Sequence, residues 1–111
     1  MKIVFLEAKT LGNDVSLKAF EEFGDVVRYD VSDPAQNAER AKDADILIVN
    51  KIPMNAETLA QAENLKLICL TATGTNNVDF SYTNQRGIAV ANVKGYSTQS
   101  VIQHTFALFF Y

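Results

Sequence analysis

The sequence feature that most restricts the fold is a series of short apolar runs, each followed by a polar loop and a stretch with helical spacing. Three of these runs are Ile46–Val49, Leu67–Leu70 and residues 88–91. Strands that are apolar at consecutive positions are typical of the centre of a parallel sheet, where both faces are buried. Strands that alternate with helices are joined by right-handed crossovers. The pattern therefore predicts an α/β fold with a five-stranded, doubly wound parallel sheet.

Helix and strand signals complete this prediction. The first two strands are expected at residues 3–7 and 26–29, and helices at residues 15–23, 34–41, 56–62 and 79–86. Gly24 and Gly87 each follow a predicted helix, where a left-handed residue is favoured. Asp33 is expected as the N-cap of the helix that begins with Pro34. A last helix is expected from residue 98 onward, with Val101, Thr105, Leu108 and Phe109 on one face.

Composition narrows the class of protein. Of the 111 residues, 48% are hydrophobic and 21% charged, as in one soluble globular domain with material for a core. A net charge of −3, with scattered Lys and Arg, argues against nucleic-acid binding. No apolar run approaches the roughly 20 residues that span a bilayer, and the start does not fit a signal peptide. The single cysteine excludes an intrachain disulfide and an all-cysteine metal site, so no metal and a cytoplasmic setting are expected.

Two polar loops lie where such a sheet binds ligands. Residues 71–79 follow the run Leu67–Leu70, and residues 92–98 follow the run at 88–91. Ligands of open α/β sheets bind at the carboxyl ends of the strands. Gly74 lets backbone N–H groups approach an anion with no Cβ in the way. From the residues alone, ligand binding and a plain connection from strand to helix are equally good interpretations of this loop.

Two nucleotide- or phosphate-related alternatives fail on the sequence. Gly-x-Gly-x-x-Gly occurs nowhere, and no Gly-Lys-Ser/Thr follows the Gly74 loop. A phospho-receiver domain needs paired acidic residues after its first strand and an Asp at the end of its third. Here these positions hold Glu7-Ala8-Lys9 and Asn50-Lys51.

Of four further side chains, Lys51 and Tyr96 each allow two interpretations. Lys51 follows a central strand, where it either faces an anionic ligand or is an ordinary solvated lysine. Tyr96 either offers its hydroxyl to a ligand or packs at a strand end. His104, the only histidine, is expected to be structural, and Cys69 is expected to be an inert core thiol.

Three motifs, in this order and spacing, resemble the N-terminal part of the NAD-dependent D-2-hydroxyacid dehydrogenases. They are Ala-Thr-Gly-Thr-Asn-Asn-Val-Asp at 72–79, Gly-Ile-Ala-Val-Ala-Asn-Val at 87–93, and Gly-Tyr-Ser-Thr-Gln-Ser-Val-Ile-Gln-His-Thr at 95–105. Within the family, residues 9–12 and 50–53 are most similar to glycerate dehydrogenase, also called hydroxypyruvate reductase. The family usually has Ala-Glu-His-Thr where this chain has Ile-Gln-His-Thr at 102–105.

The resemblance implies an interrupted, flavodoxin-like substrate domain. Residues 1–96 would form its first segment and residues 97–111 the start of an inter-domain helix, with the nucleotide-binding domain absent from this chain. The parent would transfer hydride between NAD and C2 of a small D-2-hydroxy acid or 2-oxo acid, with glycerate and hydroxypyruvate as the implied pair. The implied contacts are Lys51, Thr73, Gly74 and Tyr96 with the substrate, and Ser97 and Val101 with the cofactor. The catalytic Arg, Glu and His of the family lie downstream, so none is expected here.

The alternative is a stand-alone module of the same fold that binds small carboxylates or other partners. The chain ends in the apolar run Phe-Ala-Leu-Phe-Phe-Tyr at 106–111, which predicts a piece of a longer protein, cut within a helix. An exposed apolar patch of this kind favours pairing with a second copy, so a homodimer is also expected.

Overall fold

Five strands alternate with helical segments in the computed structural model, which describes residues 1–11, 18–22, 24–71 and 74–92. The strands are β1 (Lys2–Phe5), β2 (Asp25–Arg28), β3 (Ile46–Val49), β4 (Leu67–Leu70) and β5 (Ala89–Asn92). The α-helices are α1 (Pro34–Ala41), α2 (Ala56–Leu59) and α3 (Phe80–Arg86). Two 3-10 helices, Ala8–Leu11 and Lys18–Glu22, lie between β1 and β2.

The strands form one sheet in the order β2-β1-β3-β4-β5, and every neighbouring pair is parallel. This is the strand order of flavodoxin-like doubly wound folds, so the predicted fold class is confirmed. The chain winds outward in one direction from β1 to β2 and in the other from β3 to β5. The junction of β1 and β3 is therefore the topological switch point, where ligands of such sheets bind.

The core lies on both faces of the central strands, because every residue of β3 and β4 is buried. Side chains alternate along β3: Leu47 and Val49 join one apolar cluster, whereas Ile46 and Ile48 join the other. Phe20 closes the second cluster and packs edge-on against Phe5, with ring centroids 5.5 Å apart. The prediction of continuously apolar central strands is thus confirmed.

Several helix ends follow the predicted signals. Asp33 precedes α1, and its N–H donates to the side chain of Gln36 at 3.3 Å. The side chain of Asp79 accepts from the N–H of Tyr82 at 3.2 Å, and Gly87 ends α3 in the left-handed conformation with a φ of 68°. No helix in the described part of the chain is long and apolar enough to cross a membrane.

The prediction of a left-handed helix cap at Gly24 is wrong. Its φ of 153° lies outside the left-handed helical region, although it still disfavours a side chain. A Cβ at this position would overlap the carbonyl oxygen of Met1, and the N–H of Asp25 donates to that same oxygen at 2.8 Å. Glycine is required here because two backbone segments approach closely, and the bond from Asp25 also starts β2 one residue early.

Other predicted boundaries also differ from the structure. Strand β1, expected at residues 3–7, spans Lys2–Phe5, and β2, expected at residues 26–29, spans Asp25–Arg28. The described part of the helix expected at 15–23 is the 3-10 helix Lys18–Glu22, and the rest lies outside the described residues. Helix α2 ends at Leu59 rather than residue 62, because the N–H of Ala62 donates to Leu59 in a tighter turn at 3.0 Å. Strand β5 begins at Ala89, because the N–H of Ile88 is still bonded to Thr83 at the end of α3. The helix expected from residue 98 lies outside the described residues.

Candidate functional site

The candidate site lies at the carboxyl ends of β1, β3 and β4, on both sides of the switch point. Strand β1 pairs with β3, and β3 pairs with β4. The described parts of their following segments, residues 6–9, 50–55, 71 and 74–79, therefore meet at one edge of the sheet. The N–H of Leu6 continues the β1–β3 pairing with a bond to Ile48 at 3.1 Å, and the N–H of Thr71 bonds to Val49 at 2.8 Å.

The loop after β3 is organised around the carboxylate of Glu7. One oxygen of this side chain, Oε2, accepts three consecutive backbone N–H groups. The donor–acceptor distances are 2.5 Å for Asn50, 2.8 Å for Lys51 and 3.2 Å for Ile52. Consecutive N–H groups that converge in this way form an anion-binding concavity, and here the chain's own carboxylate binds in it.

The loop after β4 is bonded to the loop after β3. The N–H of Met54 donates to the carbonyl of Asn77 at 2.7 Å, and the N–H of Asp79 donates to the carbonyl of Met54 at 2.9 Å. The side-chain amide of Asn77 donates to the carbonyl of Ile52 at 2.9 Å. An isolated parallel bridge between Met54 and Val78 completes the connection. The two loops are therefore positioned as one unit.

Between these loops lies an open cavity of about 230 Å³, lined by Asn50, Lys51, Gly74, Asn76 and Asn77. The structure thus brings together two of the predicted substrate residues, Lys51 and Gly74, and both are exposed. A Cβ built on Gly74 meets no atom within 4 Å, so the backbone here is open to a ligand. The other predicted contacts, Thr73, Tyr96, Ser97 and Val101, lie outside the described residues, as does His104.

The lining of this cavity suits an anion. One lysine and three amide side chains surround it, and amide and ammonium groups both donate hydrogen bonds to carboxylates. A neighbouring cavity of about 450 Å³ at the ends of β1 and β2 has the opposite character, because Glu7 and Asp30 outnumber Lys9 there. Of these two cavities at the sheet edge, the one between the loops is therefore the more favourable for a negatively charged substrate.

Sequence reasoning gave no role to Glu7, Asn50 or Asn77. For Glu7 the signal was present, as an acidic residue directly after an apolar strand, but that residue was used only to reject a phospho-receiver domain. Its three bonds connect residues 43 to 45 positions apart, which no local pattern shows. The role of Asn77 likewise depends on Ile52, 25 positions away.

Cys69 is buried in β4, as predicted for a core thiol. Loss of hydration on burial raises the pKa of this thiol from its ordinary 9.0 to about 12. The thiol therefore stays protonated near neutral pH and is a poor nucleophile. Among the described residues, no three His, Cys, Asp or Glu side chains are grouped so that they could hold a metal ion.

Comparison with known proteins connects this chain to a family. Residues 3–108 match the catalytic domain of the D-isomer specific 2-hydroxyacid dehydrogenases. A glycerate dehydrogenase of Methylorubrum extorquens is 36% identical, with 98% of this chain and 34% of that protein aligned. A hydroxypyruvate reductase of Blautia hydrogenotrophica is 38% identical, over 97% of this chain and 35% of its own length.

Solved structures give the same result for the fold. The NAD⁺-bound 3-phosphoglycerate dehydrogenase of Entamoeba histolytica superimposes with a TM-score of 0.71 at 30% sequence identity. The match covers 83% of this chain and 32% of that one. The chain spans about a third of the length of the curated relatives that it matches.

Proposed function

The chain belongs to the D-isomer specific 2-hydroxyacid dehydrogenases, and we propose that it supplies the substrate-binding part of an oxidoreductase. The proposed reaction interconverts a small D-2-hydroxy acid and its 2-oxo acid, with NAD(H) as the hydride carrier. Glycerate and hydroxypyruvate are the proposed pair, and relatives that bear these substrates' names support the choice. The single observation that carries the proposal is the shared cavity of Lys51 and Gly74 at the carboxyl edge of the sheet.

The proposed role of the described residues is to bind and orient the substrate's carboxylate. The backbone at Gly74 provides N–H donors to this group, since no side chain blocks the approach. The ammonium of Lys51 attracts the same charge from the exposed rim of the cavity. Hydrogen bonds to an ionised carboxylate are stronger than those between neutral groups, and fixed donors hold C2 in one orientation.

NAD, when bound, carries the hydride. Ser97 and Val101, which the resemblance assigns to its nicotinamide side, lie outside the described residues. The proposal therefore assigns the described residues to the substrate alone. Thr73 and Tyr96 complete the proposed substrate contacts.

We also propose that residues 1–111 contain no catalytic acid or base, so that this chain by itself is inactive. The described cavity contains amides and a lysine but no histidine or carboxylate among its lining residues. Purified residues 1–111 should show no NADH-dependent reduction of hydroxypyruvate, glyoxylate or pyruvate. Turnover above the blank, with host enzymes excluded, would contradict this part of the proposal.

The direct test uses the full-length protein. It should oxidise NADH in the presence of hydroxypyruvate, with a higher kcat/KM than for glyoxylate or pyruvate. The Gly74→Val variant of the same full-length protein serves as the matched control. A Cβ at this position meets no atom within 4 Å, so the variant should fold. A full-length protein that folds, binds NADH and turns over none of these acids would contradict the proposed function.

A second candidate is a module that binds small carboxylates without catalysis. The observation that favours it is that Lys51 and Gly74 already form the cavity within this chain. Calorimetric titration of residues 1–111 with glycerate separates the two candidates. Millimolar or tighter binding favours the module, whereas no binding favours a site that needs the remaining residues of the parent.

The cytoplasmic setting and the self-association of residues 1–111 belong to the same proposal. We propose a cytoplasmic homodimer, consistent with one buried free cysteine. Leu108 and Phe109, on which the dimer expectation depends, lie outside the described residues. Sedimentation equilibrium at micromolar concentration should give twice the mass of one chain, and a clean monomer would contradict the dimer.

A further inference from the structure

We propose that Glu7 is the built-in occupant of an anion-binding nest at residues 50–52, and that it thereby positions Lys51 beside the substrate cavity. Here "the nest" means the backbone N–H groups of Asn50, Lys51 and Ile52. The role assigned to Lys51 rests on the proposed function, whereas the nest itself does not. Glu7 is a positioning residue, since it acts through the loop and not on the substrate.

The hydrogen-bond geometry shows that one oxygen of the Glu7 side chain fills the nest. Its three N–H groups converge on one oxygen of Glu7, at 2.5, 2.8 and 3.2 Å. A carboxylate that accepts several backbone N–H groups makes charge-assisted bonds, which are roughly twice as strong as neutral ones. Without the carboxylate, three donors at the end of a buried strand would lose their acceptor together.

The location of the nest explains why its occupant matters for the site. The middle donor is the backbone of Lys51, whose side chain lines the substrate cavity. The last donor belongs to Ile52, whose carbonyl accepts the amide of Asn77 from the loop after β4. Glu7 therefore holds the backbone from which Lys51 projects, and the same segment supports the second loop.

A vacant nest would also be a second anion site close to the first. It would offer three N–H donors to a small carboxylate next to the cavity that contains Gly74. The substrate's carboxylate would then have two competing positions, of which only one orients C2 for reaction. By filling the nest, Glu7 leaves the Gly74 loop as the favoured place for the substrate's charge.

The test compares Glu7→Ala and Glu7→Gln with Glu57→Ala in the full-length protein. Glu57 is an exposed carboxylate in the first turn of α2 and makes a matched control for loss of charge. Hydrogen–deuterium exchange is followed for residues 50–52 in sodium formate and in sodium chloride of equal ionic strength. Formate is the probe because it is a carboxylate small enough to replace the missing group.

The nest predicts that Glu7→Ala raises amide exchange at residues 50–52 by roughly 10-fold or more, as expected for loss of bonds to a charged acceptor. Formate should reverse this increase, whereas chloride should not. Wild type and Glu57→Ala should not respond to formate. Glu7→Gln, which keeps an acceptor oxygen but no charge, should exchange faster than wild type without a formate response.

Activity gives a second readout that a merely structural residue would not move. In Glu7→Ala, the KM for hydroxypyruvate should rise by about 10-fold while kcat changes less, and low formate should lower this KM. In wild type, formate should leave the KM unchanged or act as a competitor. Unchanged exchange in both Glu7 variants, or no formate effect on Glu7→Ala, would overturn the nest. Loss of the proposed function would appear separately, as absence of turnover in wild type.

Discussion

The two loops that line the proposed substrate cavity lie side by side on the sheet, yet their backbones are used in opposite ways. In the loop after β3, three consecutive N–H groups are already bonded to Glu7. In the loop after β4, Gly74 is exposed, and a Cβ added there would meet nothing within 4 Å. One loop is held by an internal carboxylate, whereas the other is open to an external one.

This difference shows how one sheet edge can offer a single position to an anionic substrate. Both loops follow buried parallel strands, and both contribute side chains to the same cavity. The backbone donors of the loop that carries Lys51 already have an acceptor within the chain. The loop that carries Gly74 is fixed instead by its bonds to Met54 and Ile52, which leave the glycine itself exposed.

The largest effect is expected from Gly74→Val, which changes the open loop. In the full-length protein, kcat/KM for the 2-oxo acid should fall by roughly 100-fold, because the new side chain displaces the carboxylate from charged hydrogen bonds. The melting temperature should hardly change, since the folded chain has room for the side chain. Steady-state kinetics and thermal unfolding check the two parts.

The control for this variant is Thr75→Val, one residue further along the same loop. It places valine at the next position, in exchange for a threonine of nearly the same shape and without entering the proposed anion position, so a reduction below about 3-fold is expected. Equal losses in the two variants would mean that the loop tolerates no change anywhere. The open loop would then not be the substrate's position.

A smaller effect is expected from Lys51→Ala, which changes the loop after β3 without touching its backbone bonds. The KM should rise by about 10-fold or less, because an exposed ammonium is partly replaced by water. The difference from wild type should shrink as salt is added, since exposed charges are screened. Lys66→Ala, an exposed lysine that precedes β4, is the control. A greater loss of kcat/KM for Lys51→Ala than for Gly74→Val would mean that the loop after β3, and not the loop after β4, contributes more to substrate binding.

The connection between the loops is tested by Asn77→Ala. This variant loses the bond from the side-chain amide to the carbonyl of Ile52, so unfolding should need about 1 kcal/mol less. Asn76→Ala removes the same group one residue earlier, where the side chain is exposed, and should cost under about 0.5 kcal/mol. Urea unfolding of both variants measures the difference. Equal stability would indicate that this side-chain bond contributes nothing measurable to the connection between the loops.

The smallest effect is expected at Cys69, two residues before Thr71 and the loop that contains Gly74. With its pKa raised to about 12 by burial, the thiol should resist iodoacetamide in the native protein at pH 8. The unfolded thiol releases its proton at lower pH, so this group's contribution to stability falls only as pH rises from about 9 toward 12. Rapid labelling at pH 8 would show that opening of the loop extends into β4.

The sequence predicts the central strands better than the connections, and the physical reason is the range of the interactions. Strands β3 and β4 begin and end at the predicted residues, because burial on both faces produces an uninterrupted apolar run. The conformation of Gly87 is also set by local interactions, because it depends on the helix that this residue ends. The requirement for glycine at position 24 comes from a contact distant in sequence, because a Cβ there would overlap the carbonyl oxygen of Met1.

The same distinction applies to the site. Lys51 and Gly74 were noticed from their positions after apolar runs and assigned to the substrate by the family resemblance, and the structure brings them to one cavity. Glu7 was missed because the N–H groups that donate to its carboxylate lie more than 40 residues away. Local sequence patterns show where a loop lies. The group that binds in the loop depends on which strands are neighbours in the sheet.

The most direct test of the central claim is a titration of glycerate into the ¹⁵N-labelled full-length protein, followed by amide chemical shifts. The open loop predicts the largest, saturable shift at the amide of Gly74, with little change at Asn50 and Ile52, whose N–H groups remain bonded to Glu7. In Glu7→Ala, the amides of Asn50 and Ile52 should join the response. Larger shifts at Asn50 and Ile52 than at Gly74 in the wild type would contradict the account, because the substrate's carboxylate would then bind at the nest.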